Sequence, residues 1–284
     1  MSQASVNKGR VIIVGAGPGD PDLITVKAVQ WLGKADVVLT DRLVSDVILK
    51  NYVKVDAELI YVGKQCRRGL STPQEYINEL MVSHASMGKL VVRLKGGDVS
   101  VFSNILDELR ALVENNIAYE IVPGITAALG AAAYAGIPLT ARNMASAVRF
   151  LTYYNSDVVS DSYWQELAHT EDTLVFYMSS ETLDNAVANL IRHGIAKDKR
   201  VAVIEQATTP MQQVWVSPVY EYHRLLQGRK LVSPSLVIIG RVVALHEEFG
   251  WLANSASRDN YFKSVAALKN DNKTYNQEEH VSRA

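Results

Sequence analysis

Three aspartates stand at glycine-rich or polar punctuation: Asp20 closes Gly15-Ala16-Gly17-Pro18-Gly19-Asp20, Asp41 sits in Thr40-Asp41-Arg42, and Asp98 ends Leu94-Lys95-Gly96-Gly97-Asp98. Carboxylates at such turns favour a cation and can accept a proton, while glycine lets the backbone take up positive φ and approach a ligand closely. The first run follows the apolar stretch Val11–Val14 and invites comparison with a dinucleotide fingerprint. It fails that comparison. Asp20 stands where a third glycine or alanine is required, Pro18 has no amide hydrogen, and the carboxylate would repel a pyrophosphate. A neutral or cationic ligand suits the turn better, and a sulfonium bearing an ammonium group would match the charge of Asp20, Asp41 and Asp98. The plainer alternatives are a tight turn without a ligand for the first run and an aspartate-capped turn for Gly96-Gly97-Asp98.

These turns must be carried by strands. Val11–Val14 is short, β-branched and apolar, as expected of a parallel strand buried on both faces. A helix from about Thr25, strands at Asp36–Leu39 and Leu59–Val62, a helix opening near Thr72-Pro73-Gln74-Glu75, a strand at Leu90–Leu94, a helix over Ile105–Asn115 and a strand at Tyr119–Val122 continue the alternation. Thr72 is the expected N-cap, with Pro73 at the first helical position. Thr126–Ala135 reads as an alanine-rich helix. Alternation at this spacing predicts a mostly parallel sheet with helices on both sides and a ligand at the carboxyl ends of its strands. Every glycine-rich or charged punctuation falls on that rim.

The pattern restarts at Val148–Thr152, with a polar loop over Asn155–Asp161. Strands are then expected at Thr173–Tyr177, Val201–Glu205, Gln213–Val216 and Ser235–Val243, and helices at Leu183–His193 and Val219–Leu226. The reading is an α/β chain of two domains, 10–142 and 146–253, followed by a disordered tail over 254–284.

Composition narrows the partners. The 29 basic and 30 acidic residues leave a formal net charge of −1, so there is no global field to gather nucleic acid or an anionic membrane. Cys66 is the only cysteine, which excludes an intramolecular disulfide and a cysteine-rich metal site, and no metal is expected. Met1–Arg10 has no signal-like apolar core, and no run approaches the ~20 apolar residues of a membrane span, so a cytoplasmic protein is expected.

Beyond these general readings, the motifs resemble a known family in order and spacing. Val14–Pro21, Asp41–Val44, Tyr61–Lys64, Leu94–Asp98 and Val122–Ala128 are similar to the tetrapyrrole methylases, and Val175–Met178 and Pro234–Val237 continue the likeness across about residues 10 to 250. Ala135–Thr140 looks more particularly like the branch that C-methylates uroporphyrinogen III. The resemblance implies the two-domain class III methyltransferase fold, with a mostly parallel N-terminal sheet and a mixed C-terminal one. It further implies a homodimer, S-adenosylmethionine as methyl donor and a tetrapyrrole substrate. Carried over residue by residue, cofactor contacts fall on Pro18, Gly96, Gly97, Asp98, Val101, Thr126, Ala127, Met178 and Ala207, the last where relatives usually have glycine. Asp41 and Lys64 match the proton acceptor and donor. Against a substrate with many carboxylates, the basic candidates are Arg42, Arg67, Arg68 and Arg149, with Arg142 also near motif loops, since guanidinium pairs with carboxylate through two parallel hydrogen bonds. Each has the alternative reading of ordinary solvated surface.

The pattern breaks on the substrate side. Where relatives usually have glycine-arginine-glycine, this chain has Ser103-Asn104-Ile105, and Gln65 replaces a common arginine after the lysine. Either Arg67 and Arg68 supply the charge that Asn104 does not, or the pocket takes a different tetrapyrrole, or the chain binds S-adenosylmethionine without turnover.

Overall fold

The structure, a computed structural model, describes residues 8–63, 72–154 and 157–263. The chain divides into two compact units, one formed by residues up to Thr126 together with the segment from Phe262, the other by Ala127–Tyr261.

In the first unit β1 (Arg10–Gly15) leads through a short 3-10 turn to α1 (Val26–Leu32), β2 (Val37–Thr40), α2 (Asp46–Tyr52), β3 (Glu58–Tyr61), α3 (Gln74–Ser86), β4 (Leu90–Lys95), α4 (Ile105–Glu114) and β5 (Ala118–Val122). The strands lie in the order β3-β2-β4-β1-β5, and every pairing is parallel. Alternation along the strands explains the two layers. Ile12, Val14, Val38, Val92 and Leu94 pack against Ala28, Leu32, Ile48 and Leu49 of α1 and α2. Val11, Ile13, Val37, Leu39 and Val91 pack against Ile77, Met81, Ala85 and Leu112 of α3 and α4. Both faces are covered, and each fully buried Ile or Leu contributes about 1.5–3 kcal/mol.

Helix starts are fixed locally. The Thr25 hydroxyl accepts from Ala28 N at 3.3 Å and Ser45 from Val47 N at 3.2 Å. At α3 the expected cap moves by one: Pro73 occupies the N-cap and makes no side-chain cap, so Thr72 lies outside the helix. α2 was not foreseen in the sequence, because it is short and its Val47 is exposed, which blurs the apolar stripe.

The second unit runs α5 (Ala127–Tyr134), β6 (Val148–Thr152), α6 (Asp161–His169), β7 (Thr173–Tyr177), α7 (Leu183–Arg192), β8 (Arg200–Glu205), β9 (Gln213–Pro218), α8 (Tyr222–Leu225), β10 (Ser235–Gly240) and α9 (His246–Phe249). Its sheet has the order β6-β7-β10-β8-β9, with β6 and β7 parallel and the remaining pairs antiparallel. This is the mixed sheet that the resemblance implied. Trp164, Leu167, Leu183, Val187, Leu190 and Tyr222 cover one face of it. Two boundaries differ from expectation. The units part at Thr126/Ala127, not near 142–146, because α5 carries its contacts to the second sheet. β10 ends at Gly240, where a 3-10 turn replaces the expected strand to Val243.

The expected tail also needs correction over Asn254–Lys263, which is irregular but held. Asn254 brackets Val214, its Oδ1 accepting from Val214 N at 2.7 Å and its Nδ2 donating to Val214 O at 3.1 Å. Gln213 Nε2 donates to the carbonyls of Ser255 and Ser257, and Arg258 reaches the buried Glu205 at 3.3 Å. Polar composition suggested disorder, but here the polar groups are the attachment, with Asn254 satisfying the Val214 backbone of edge strand β9. The remainder of the expected tail, residues 264–284, lies outside the described residues.

Candidate active site

The parallel sheet brings the motif loops to one rim, at the carboxyl ends of its strands. The turns after β1, β4 and β5 touch backbone to backbone. Gly17 and Gly97 exchange amide bonds, Gly17 N donating to Gly97 O at 3.1 Å and Gly97 N to Gly17 O at 2.8 Å. A Cβ on Gly124 would stand 2.3 Å from Gly97 O, and one on Gly15 would stand 2.6 Å from Gly124 N. Neither position admits a side chain, so glycine is required by the closeness of three chains.

Asp98 locks this junction. Its Oδ1 accepts from Ser100 N at 2.8 Å and from Ser100 Oγ at 2.5 Å, and its Oδ2 accepts from Gly124 N at 3.0 Å. Burial alone would raise its pKa, but the hydrogen bonds from Ser100, Gly124 and Val99 outweigh burial and hold the carboxyl below its ordinary range. Downstream, Phe102 and Asn104 both adopt left-handed backbone, φ 51° and 52°, and Asn104 sits exposed at the N-cap of α4 without capping it through its side chain. A left-handed Phe is an outlier of the kind that collects at functional loops.

Asp41 follows β2 and belongs to a cluster that the motifs alone did not reveal. Arg93 Nη2 donates to Asp41 Oδ1 at 2.6 Å, and Arg93 Nε donates to Glu108 Oε1 at 3.0 Å. Lys95 Nζ donates to the same Glu108 oxygen at 3.0 Å. Arg93 Nη1 also reaches the carbonyls of Leu39 and Leu94 at 3.3 and 3.2 Å. Glu108 is fully buried, and its Oε2 makes no hydrogen bond among the described residues. Burial opposes charge on Arg93, but Asp41 and Glu108 outweigh it and raise the guanidinium's pKa; burial, then the neighbouring Arg93, lowers that of Lys95. Removing Glu108, the anion that both cations share, would strand buried charge. The missed signal lay in the alternation. Val37-Leu39 and Val91 face the α3/α4 layer, so Asp41, Arg93 and Lys95 continue onto the same face, with Leu39 paired to Arg93 in register.

The basic candidates fare unequally. Lys64, Arg67 and Arg68 lie outside the described residues. Arg42 is half-buried beside Asp41 in sequence; its buried Nε has no hydrogen-bond partner among the described residues, and burial lowers the guanidinium's pKa. Arg149, in β6, is taken up by carboxylates of its own unit: Nε donates to Asp172 at 2.6 Å, and Nη1 to Glu166. That pairing gives Arg149 a structural place in the second unit. Arg142 is exposed.

In the second unit, Leu236 pairs with both Tyr177 and Ile204, so the ends of β7 and β8 share a rim on either side of β10. Met178 follows β7 with φ 54° and an exposed side chain, its sulfur accepting from Tyr154 Oη at 3.2 Å. Ala207 is buried after β8, between Gln206 and Thr208, which are left-handed at φ 48° and 64°. At α5, Tyr177 Oη accepts from Ala128 N at 3.1 Å, filling one of the free amides at that helix start. Pro18, Gly96 and Val101 are partly exposed on the first rim; Thr126 is buried and Ala127 opens α5. Among the described residues no cluster of His, Cys, Asp and Glu could hold a metal ion, and no helix is long and apolar enough to cross a membrane.

Comparison with known proteins agrees with this arrangement. Siroheme synthase of Pseudomonas fluorescens (strain SBW25) is 45% identical over 250 residues, which is 88% of this chain but 53% of that protein. Siroheme synthase of Vesicomyosocius okutanii is 44% identical over 243 residues, 86% of this chain and 52% of that protein. The chain thus spans about half the length of the curated relatives it matches. Uroporphyrin-III C-methyltransferase from Thermus thermophilus superposes with a TM-score of 0.71 at 33% identity, covering 86% of this chain and 98% of that one. A second structure of that enzyme, complexed with S-adenyl homocysteine, gives 0.68 at 32% identity over 83% and 93% of the two chains. The model of the tetrapyrrole (corrin/porphyrin) methylases matches residues 10–222. With its glycine junction, its rim aspartates and this match in place, the chain belongs to the tetrapyrrole methylases.

Proposed function

We propose that the chain transfers methyl groups from S-adenosylmethionine to C2 and C7 of uroporphyrinogen III, giving precorrin-2 on the way to sirohaem or cobalamin, and that it acts as a homodimer. The observation that carries this reading is Asp41. It stands at the rim beside the glycine junction, with Oδ1 held by Arg93 and Oδ2 making no hydrogen bond among the described residues. A pyrrole carbon of the reduced macrocycle is itself the nucleophile, so no activated serine or cysteine is needed, and the protein's work is positioning and proton handling. Asp41 Oδ2 accepts the proton from pyrrole nitrogen or stabilises the positive charge that develops there; Lys64 is the proposed proton donor.

The residues present fit the methyl donor. Pro18, Gly96 and Gly97 are partly exposed on the first rim, Asp98 is held as an anion suited to an ammonium group, and Met178 and Ala207 are uncharged. When bound, S-adenosylmethionine supplies an electrophilic methyl. Pro18, Gly96, Gly97, Asp98, Val101, Thr126, Ala127, Met178 and Ala207 are the proposed contacts. Arg42, with an unsatisfied buried Nε, is the described arginine best placed to take a substrate carboxylate. Arg67 and Arg68 are proposed to supply the charge that Asn104 lacks.

Purified protein incubated with labelled S-adenosylmethionine and enzymatically made uroporphyrinogen III tests this reading. Two added methyl groups in the product mass spectrum are expected. Binding of the donor without transfer would defeat the enzymatic reading, and methylation of another tetrapyrrole only would move the substrate assignment in line with Asn104.

A further inference from the structure

We propose that Arg93 is the positioning residue for Asp41: it fixes the carboxylate by one oxygen so that the other is presented to the substrate. This rests on the role given above to Asp41. Arg93 is suited to the task because its own geometry is over-determined. Nε is anchored on Glu108 Oε1, Nη1 on the carbonyls of Leu39 and Leu94, and only Nη2 is left for Asp41. The guanidinium side chain is 3% exposed against 27% for that of Asp41, so water cannot readily replace the donor from behind. The planar fork is what allows one residue to hold two strand ends, a buried anion and a rim carboxylate together. Holding a reacting group within a fraction of an ångström is worth orders of magnitude in rate, and that precision comes from supporting residues.

Arg93 also need not be present for charge balance. Lys95 also lies on Glu108 Oε1, at 3.0 Å, so without Arg93 that buried pair can stay neutral while the partly exposed Asp41 is hydrated. Arg93→Gln is therefore a usable variant.

The experiment is a kinetic cycle of wild type, Arg93→Gln, Asp41→Asn and the double variant, with a crystal structure of Arg93→Gln. Arg93→Gln is expected to lower kcat about tenfold with KM for S-adenosylmethionine within about twofold, and the double variant to turn over no more slowly than Asp41→Asn alone, because residues acting as a unit are not additive. In the crystal the Asp41 carboxylate is expected to occupy more than one orientation. Arg93→Lys keeps the charge but cannot reach every partner, so it should fall between Gln and wild type, and it carries the test if Arg93→Gln does not fold. Wild-type kcat in a folded Arg93 variant, an unmoved Asp41 carboxylate, or losses that multiply in the double variant would each overturn the inference. Full turnover in Asp41→Asn would instead remove the role of Asp41 and leave the Arg93 contact purely structural.

Discussion

At the strand ends of the parallel sheet, Asp41, Arg93, Lys95, Glu108 and Asp98 form buried or half-buried contacts between opposite charges and amide donors. At those of the mixed sheet, the residues that open the loops are Met178, Gln206, Ala207 and Thr208, none charged, and three of them hold left-handed backbone. The one carboxylate there, Glu205, is turned away: it accepts from Trp215 Nε1 at 3.1 Å and Val232 N at 2.6 Å. The first rim thus adds charge, which responds to pH and to isosteric substitution, to the left-handed backbone of Phe102 and Asn104. The second rests on conformation without those charges, at roughly 1–3 kcal/mol for each non-glycine residue held left-handed. The proposed proton handling draws on the first kind of rim.

The largest effect should come from the backbone junction of the first rim. Gly124→Ala places a methyl 2.3 Å from Gly97 O, and we expect a loss of about 3 kcal/mol, read as a lower urea midpoint, together with loss of S-adenosylmethionine binding. Next, Asp98→Asn removes an acceptor from the junction and should cost about 2 kcal/mol at neutral pH. Because the folded pKa of Asp98 lies below its ordinary value, its contribution is complete above about pH 4 and is lost as pH falls through the lower, folded value. Denaturation curves of wild type and variant should therefore converge in acid, and a gap independent of pH would show that the charge is irrelevant. Asp41→Asn should slow turnover at least about tenfold, or about 1.4 kcal/mol in barrier, with donor binding by calorimetry nearly intact. The smallest change tests the other rim. Met178→Gly relieves a left-handed side chain and should raise stability by about 1 kcal/mol while weakening donor binding. A fall in melting temperature would mean that the second rim is not strained as described.

Much of this was legible before any coordinates. Val11–Val14 placed its strand because a strand covered on both faces has little freedom but to be apolar and β-branched, and the alternation to Val122 and the restart at Val148 followed from its spacing. The motif loops fell on one rim for the same topological reason. What escaped was set by tertiary partners. Arg93 and Lys95 are charges in an otherwise apolar strand whose partner, Glu108, comes from another element, so sequence alone does not single them out. Arg149 was grouped with substrate arginines by nearness in sequence, whereas Asp172 and Glu166 claim it in space. α6 was missed although Ser160 caps it, accepting from Tyr163 N at 3.3 Å, since a polar run hid its start. The alanine-rich helix was foreseen, but not that it belongs to the second unit.

Strand β9 would leave one side of its backbone bare, were it not for Asn254 clasping both polar groups of Val214 and Ser255 N donating to Gln212 O at 2.9 Å. That irregular stretch serves as a selvedge, the finished margin that keeps a woven cloth from unravelling or catching on its neighbour. A chain shortened at residue 253 would keep every motif named above and yet offer β9 as a template to other molecules, so it should precipitate or form strand-paired oligomers where the longer chain does not. On this expectation the polar residues after Ala253 serve to keep the molecule from pairing with its neighbours.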